Sequence, residues 1–156
     1  MDVALHFKVQ DLNARYVHAI DEDRLEQWPE FFADDGCYRI TTVENVERGL
    51  PLSLMYATSR AMMRDRINSL RNANVYESQR YRHAVGTPLI EPSSDGSVRA
   101  VTNFLVARIM HTGETTLFAT GRYEDRISLT DARAHFLEKT VILDSRQIDT
   151  LLAIPL

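Results

Sequence analysis

Chemistry in this chain would have to come from five histidines, a set of carboxylates and tyrosines, and one thiol. The histidines, His6, His18, His83, His111 and His135, show no H-E-x-x-H or H-x-H spacing that would place two ligands together. The densest cluster of polar chemistry is "YESQRYRHAVGTP", residues 76–88. As a strand from Arg80 onward it puts Tyr81, His83, Val85, Thr87 and Leu89 on one face and Arg80, Arg82, Ala84 and Gly86 on the other. His83 then sits beside Tyr81 on an apolar face, which favours a buried imidazole bonded to a carboxylate or carbonyl. The competing possibility is proton transfer on a small carbonyl or hydroxylated substrate. That chemistry needs His83 to meet Tyr16 or Asp35 of the N-terminal half inside a pocket. Arg80 and Arg82 could fork a carboxylate or phosphate, or form a solvated edge or a salt bridge between subunits.

Other chemistries lack their residues. One cysteine, Cys37, rules out an internal disulfide and any multi-cysteine metal site within one chain, and it reads as a small buried apolar residue. "HTGE", 111–114, has the glycine of a hairpin turn, while His135 and Glu138 are three apart in a strand and face opposite sides. Gly-rich phosphate loops and G-x-S-x-G elbows are missing. A net charge of −4 supplies no general basic field for nucleic acid. No apolar run is long enough to span a bilayer, and "MDVALHFKVQDLNARY" lacks the basic and apolar regions of a signal peptide. The expectation is a cytoplasmic protein without membrane or nucleic-acid partners.

The elements that must position these groups come in two blocks. With 156 residues, 44% of them apolar and 26% charged, one domain is expected over residues 1–156, helical to about 75 and a strand meander from about 76. Leu5, Val9, Leu12, Tyr16 and Ala19 form one helical stripe. Asp21 then reads as the N-cap of a short second helix, "DEDRLEQW", and Pro29 as the start of a further turn, "PEFFADDG", before a strand, "CYRITTV". A third helix, capped at Thr58 or Ser59, has Met62, Met63, Ile67, Leu70 and Ala73 on its apolar face. Arg66 falls near the centre of that face, where a guanidinium needs a carboxylate; Asp21, Asp34 and Asp35 are the candidates.

Beyond residue 80 the period becomes two. Strands read "QRYRHAVGTPLIEP", "SVRAVTNFLVARIMH", "TTLFATGRYEDRISL" and "AHFLEKTVILDSR", joined by "SSDG", "TGE" and "TDA". The order predicts an α+β layer, helices covering one face of a curved sheet of antiparallel neighbours. Phe104, Val106 and Met110 alternate with Leu105, Ala107 and Ile109, so both faces of that strand are apolar and the second face needs a cover. In the next strand Leu117, Ala119, Tyr123, Ile127 and Leu129 alternate with Thr120, Arg122, Glu124, Arg126 and Ser128.

Taken together, "AIDEDRLEQWPEFFADDGCYRIT", "GLPLSLMYATSRAMMRDRINSLRNANVYESQRYRHAVG", "FLVARIMHTGETTLFATGRYEDRI" and "TLLAIPL" resemble the small, or beta, subunit of aromatic-ring-hydroxylating dioxygenases. Within that family the likeness leans toward terephthalate, salicylate and halobenzoate hydroxylating systems. The resemblance implies a cone of helices packed into a curved mixed sheet, like nuclear transport factor and scytalone dehydratase. It implies no cofactor in this chain, with a Rieske [2Fe–2S] cluster and a mononuclear iron in a large-subunit partner. It also implies self-association as a trimer within a hetero-hexamer of the two chain types. No catalytic residue is then expected here. Arg66, within "DRI", is given a structural role, and Arg80, Arg82, Phe104, Leu105 and Ile109 become candidates for structure or interface. Trp28, with Phe31 and Tyr76, is expected to fill the cone. The alternatives are a stand-alone isomerase or dehydratase using His83 with Tyr16 or Asp35, and a binding module with an open apolar cone.

Overall fold

The computed structural model describes residues 1–72, 78–130, 132–147 and 152–156. Ala73 and Tyr76 lie outside the described residues. Helix α1, Val3–Asp21, starts at Asp2, whose carboxylate accepts from the Leu5 N–H. Its stripe buries Val9, Leu12, Tyr16, Val17 and Ile20. The helix runs through Asp21, so Asp21 does not cap a second helix. Asp23, at φ 58°, turns the chain, and Leu25–Phe31 forms a 3₁₀ helix with Pro29 inside it. Strand β1 then begins at Phe32 and runs to Thr42, earlier than the "DDG" turn implies. Asp34, Asp35 and Gly36 fall in its register break between Phe32 and Cys37. The extra residues are taken up as a bulge.

A short helix α2, Val43–Glu47, and a three-residue strand β2, Met55–Ala57, separate β1 from helix α3, Arg60–Asn72. Ser59 accepts from the Met62 N–H at the start of α3, and Met63, Ile67 and Leu70 are buried. Met62 is exposed. The remaining strands are β3 (Gln79–Val85), β4 (Leu89–Pro92), β5 (Val98–Met110), β6 (Thr115–Ser128) and β7 (His135–Leu143). The expected single strand 79–92 is thus broken at Gly86–Pro88, and both parts pair with β5. Leu89 is exposed and leaves the His83 face. Gly96 and Gly113 take positive φ in the predicted hairpin turns.

The sheet is seven-stranded in the order β2-β1-β7-β6-β5-β3, with β4 also on β5. All pairs are antiparallel except β1 with β7, so the sheet is mixed. Register breaks at Val106/Ala107 and Arg126/Ile127 add to the one in β1 and let the strands curl around the helices. The first of these has a visible consequence. It inserts Phe118, so Leu117 faces outward at 66% exposure instead of following Ala119 and Tyr123 inward. Phe118 turns in and stacks on Tyr81 at 5.4 Å. Among the described residues no helix is long and apolar enough to cross a membrane.

Curvature also needs one residue without a side chain. A Cβ on Gly121 would lie 2.1 Å from the Ile142 carbonyl oxygen on β7. Gly121→Ala therefore pushes β6 and β7 apart. We expect a loss of about 1–3 kcal/mol, the range for overpacking, read as a lower urea midpoint. An unchanged midpoint would mean the strands separate without cost.

Candidate functional site

The inner wall of the cone carries a buried charge pair. Lys139 of β7 lies opposite Asp125 of β6 and Tyr38 of β1. Its Nζ is 3.1 Å from Asp125 Oδ2, and both side chains are fully buried. The ammonium also stands over the rings of Tyr123, Phe136 and Tyr16, at 3.6, 4.2 and 4.6 Å. Three ring faces give it negative quadrupole in place of water. Burial dominates at both partners. It pushes the Asp125 carboxyl up to about 6 against the pull of Lys139, and it pushes Lys139 down.

Around this pair the cone is filled. Trp28 is completely buried, edge-on to Phe32 and Tyr38, and its indole N–H donates to the Tyr16 hydroxyl at 3.3 Å. Phe31 packs half-buried against the same core. The remaining volume is taken by the last residues of the sequence. Leu156 is fully buried; its N–H donates to Tyr38 Oη at 2.8 Å, and its carbonyl accepts from Tyr16 Oη at 2.8 Å and Tyr38 Oη at 3.0 Å. Burial raises the pKa of both phenols, so they serve as neutral donors.

His83 has a carboxylate partner, and it is Asp21. Asp21 Oδ2 accepts the His83 backbone N–H at 2.8 Å, and Oδ1 lies 2.6 Å from Nδ1. The carboxylate can only accept, so Nδ1 carries the proton and Nε2 is left inside the core without a partner among the described residues. The imidazole is fully buried between Tyr81 and Phe104. Asp21 thereby fixes the end of α1 to β3. The trio His83, Tyr16 and Asp35 is not assembled: Tyr16 Oη is bonded to Leu156, and Asp35 is exposed on β1.

Arg66 is corrected by the same assignments. Asp21 is taken by His83, Asp34 by Arg60 at 3.1 Å, and Asp35 faces solvent. Arg66 is half-buried, and its charge is near enough to the Tyr38 phenol to favour ionisation slightly against the larger effect of burial. Cys37 is half-buried, with its thiol pushed up first by burial and then by Glu138 and Asp35, which makes it a poor nucleophile. Among the described residues no three His, Cys, Asp or Glu side chains gather to hold a metal.

Outside the cone, the β3–β5–β6 face is apolar. Pairing sets Arg80 against Ile109, Arg82 against Ala107 and Ala84 against Leu105, with Leu117 of β6 beyond Ala107. Leu105 is 50% exposed, whereas Phe104 is turned inward at 2% and stacks on Tyr123 at 4.5 Å. Arg82 reaches Glu22, Arg122 reaches Glu124, and Arg126 reaches Asp95 and Glu138.

The SnoaL-like domain pattern matches residues 2–138. The chain is 44% identical over 149 residues to the terephthalate 1,2-dioxygenase terminal oxygenase component subunit beta 1 of Comamonas sp., covering 96% of this chain and 97% of that one. It belongs to the small-subunit family of aromatic-ring-hydroxylating dioxygenases. A second relative, the anthranilate 1,2-dioxygenase small subunit of Burkholderia cepacia, is 37% identical over 155 residues, 99% of this chain and 96% of its own. The crystal structure of a beta subunit assigned to an aromatic-ring-hydroxylating dioxygenase of Novosphingobium aromaticivorans superposes with a TM-score of 0.90 at 37% identity, covering 98% and 97% of the two chains. The SnoaL-like α+β cone is thus the family fold.

In this beta subunit the sequence pattern had signals for the hidden pair. Lys139 falls in step with Val141 and Leu143, and Asp125 falls in the row of Tyr123 and Ile127. A charge in an apolar row is a buried charge, and two in adjacent strands are a pair.

Asp125→Asn is expected to cost about 3–5 kcal/mol, because Lys139 remains buried without its counter-ion. Asp125→Leu with Lys139→Met should recover most of that loss, measured by denaturant unfolding. The carboxyl's raised pKa fixes its pH signature. Between about 3.8 and about 6 the unfolded chain ionises Asp125 while the folded chain keeps it protonated. Its contribution to stability is therefore present below that window and lost as pH rises through it. A wild-type minus double-variant stability difference that is flat across this range would contradict the assignment. His83→Ala leaves Asp21 without its ring donor and should cost about 1–3 kcal/mol; no loss would mean the clamp carries no stability.

Proposed function

We propose that the chain is the non-catalytic small subunit of a multicomponent oxygenase acting on an aromatic carboxylate. The large subunit would hold the Rieske cluster and the mononuclear iron, and with them the aromatic substrate, oxygen and electrons. A Rieske centre takes two cysteines and two histidines, and this chain has one cysteine. The observation that carries the proposal is near-full-length similarity to beta subunits of terephthalate and anthranilate dioxygenases. A cone packed with its own side chains, and a His83 ring fully buried between Tyr81 and Phe104 and held by Asp21, agree with a supporting role.

On this reading the chain works through its outer surface. The face carrying Leu105, Ala107, Ile109 and Leu117, edged by Arg80, is a part of the sheet that leaves apolar area uncovered in one chain, with Leu105 and Leu117 half-exposed or more. It suits contact with further copies in a trimer under a trimer of large subunits.

Purification of the tagged chain from its native host is expected to bring down a stoichiometric iron-containing partner with Rieske absorbance. Recovery alone and iron-free under gentle conditions would count against the proposal. Leu105→Glu, on an exposed site, should leave the unfolding midpoint near wild type and shift the sedimenting species from trimer to monomer. A trimer unaffected by that charge would move the interface elsewhere.

A further inference from the structure

The segment Leu152–Leu156 is held unlike the rest of the core. It belongs to no helix or strand, so no backbone ladder secures it. Leu156 is bound by three hydrogen bonds from two phenols, contributed by α1 and β1, while Ile154 and Leu156 bury apolar side chains in the cluster. This is how a binding site holds a short peptide: donors converge on one carbonyl, an acceptor meets the adjacent N–H, and apolar walls take the flanking side chains.

Two further observations point the same way. Tyr123 Oη, inside the cone and fully buried, has no hydrogen-bond partner among the described residues. Its ring lies 6.2 Å from that of Tyr16, so the phenol that holds Leu156 is not the only one in that wall. Ile154 also lines a cleft of about 550 Å³ that it shares with Ile20, Asp21, Tyr81 and Met110. Withdrawal of the segment would join this cleft to the space beneath, giving a route from the surface to Tyr16, Tyr38 and Trp28.

We propose that the cone is a peptide-binding site whose occupant is the chain's own Leu152–Leu156 segment, a tethered ligand that can leave and be replaced by the same sequence supplied in trans. The ligand class follows from the contacts: a short apolar peptide, bent at its isoleucine, offering a main-chain carbonyl to Tyr16 and Tyr38 and an N–H to Tyr38. Tethering keeps the site filled at a high effective concentration, so a free peptide competes only when the resident segment is weakened. The inference concerns the fold's interior and does not depend on the oxygenase assignment.

The test uses the full chain with Leu156→Asp, which places a charge where the side chain is completely buried, and Leu156→Gly as a milder form. Trp28, the single tryptophan, reports on the site through its bond to Tyr16. A tethered ligand predicts that at least one variant keeps its far-ultraviolet dichroism while Trp28 emission moves to the red. Adding amidated peptide Leu-Ala-Ile-Pro-Leu should then reverse the shift saturably. The same titration with Tyr38→Phe added should need about tenfold more peptide, because both bonds to the Tyr38 hydroxyl are gone. Loss of the sheet in both variants would overturn the proposal by making the segment an integral part of the core. Folded variants whose Trp28 ignores the peptide would overturn it equally.

Discussion

Tyr16 is where the interior closes. Its ring gives one face to the Lys139 ammonium and its edges to Phe31, Phe32, Tyr123 and Phe136, and its hydroxyl joins Trp28 to Leu156. A cone of this fold has a polar floor, because Lys139 and Asp125 project into it from adjacent strands. A polar floor that water does not reach is stable only when its charges are paired with each other and with the groups above them. The aromatic layer, the 3₁₀ helix that delivers Trp28 and the final segment that delivers a carbonyl are the means of matching it. Curvature serves the same end: the three bulges and the bare backbone at Gly121 bring β1, β7, β6 and β5 around that layer.

A filled interior decides what the residues with chemical potential can do. His83 and Asp21 have the geometry of an acid–base dyad, with Nε2 left over. The His83 ring is fully buried, and the tyrosine that could have joined the pair is committed to Leu156. The dyad therefore acts as a clamp between α1 and β3. The uncommitted apolar side chains lie outside the sheet, where Leu105 and Leu117 stand in water in the isolated chain. That division between a packed interior and an exposed apolar exterior accords with the supporting role proposed above.

Much of the fold was legible in the sequence because it is local. The α1 stripe, the Ser59 start of α3, and the alternation of β5 follow from side-chain period alone. What escaped is non-local or depends on a one-residue shift. Nothing in "CYRITTV" says that β1 will run parallel beside β7, since that pairing is set by the crossover and not by its own residues. Asp21 looked like a cap because acids before a leucine-rich turn do cap helices; only the tertiary contact with His83 makes it a buried acceptor. Leu117 was placed inward because strict alternation cannot register the bulge at Phe118. Arg66 was expected to need a carboxylate, and partial exposure removed that need.

The central proposal is that the outer β3–β5–β6 face is where this chain meets its neighbours in the assembly. Hydroxyl-radical footprinting of the isolated chain against the native assembly tests it most directly. The account predicts that Leu105, Ile109 and Leu117 lose reactivity in the assembly while Tyr16, Trp28 and Tyr38 stay unreactive in both states. Full reactivity of the three aliphatic residues in the assembly would contradict it.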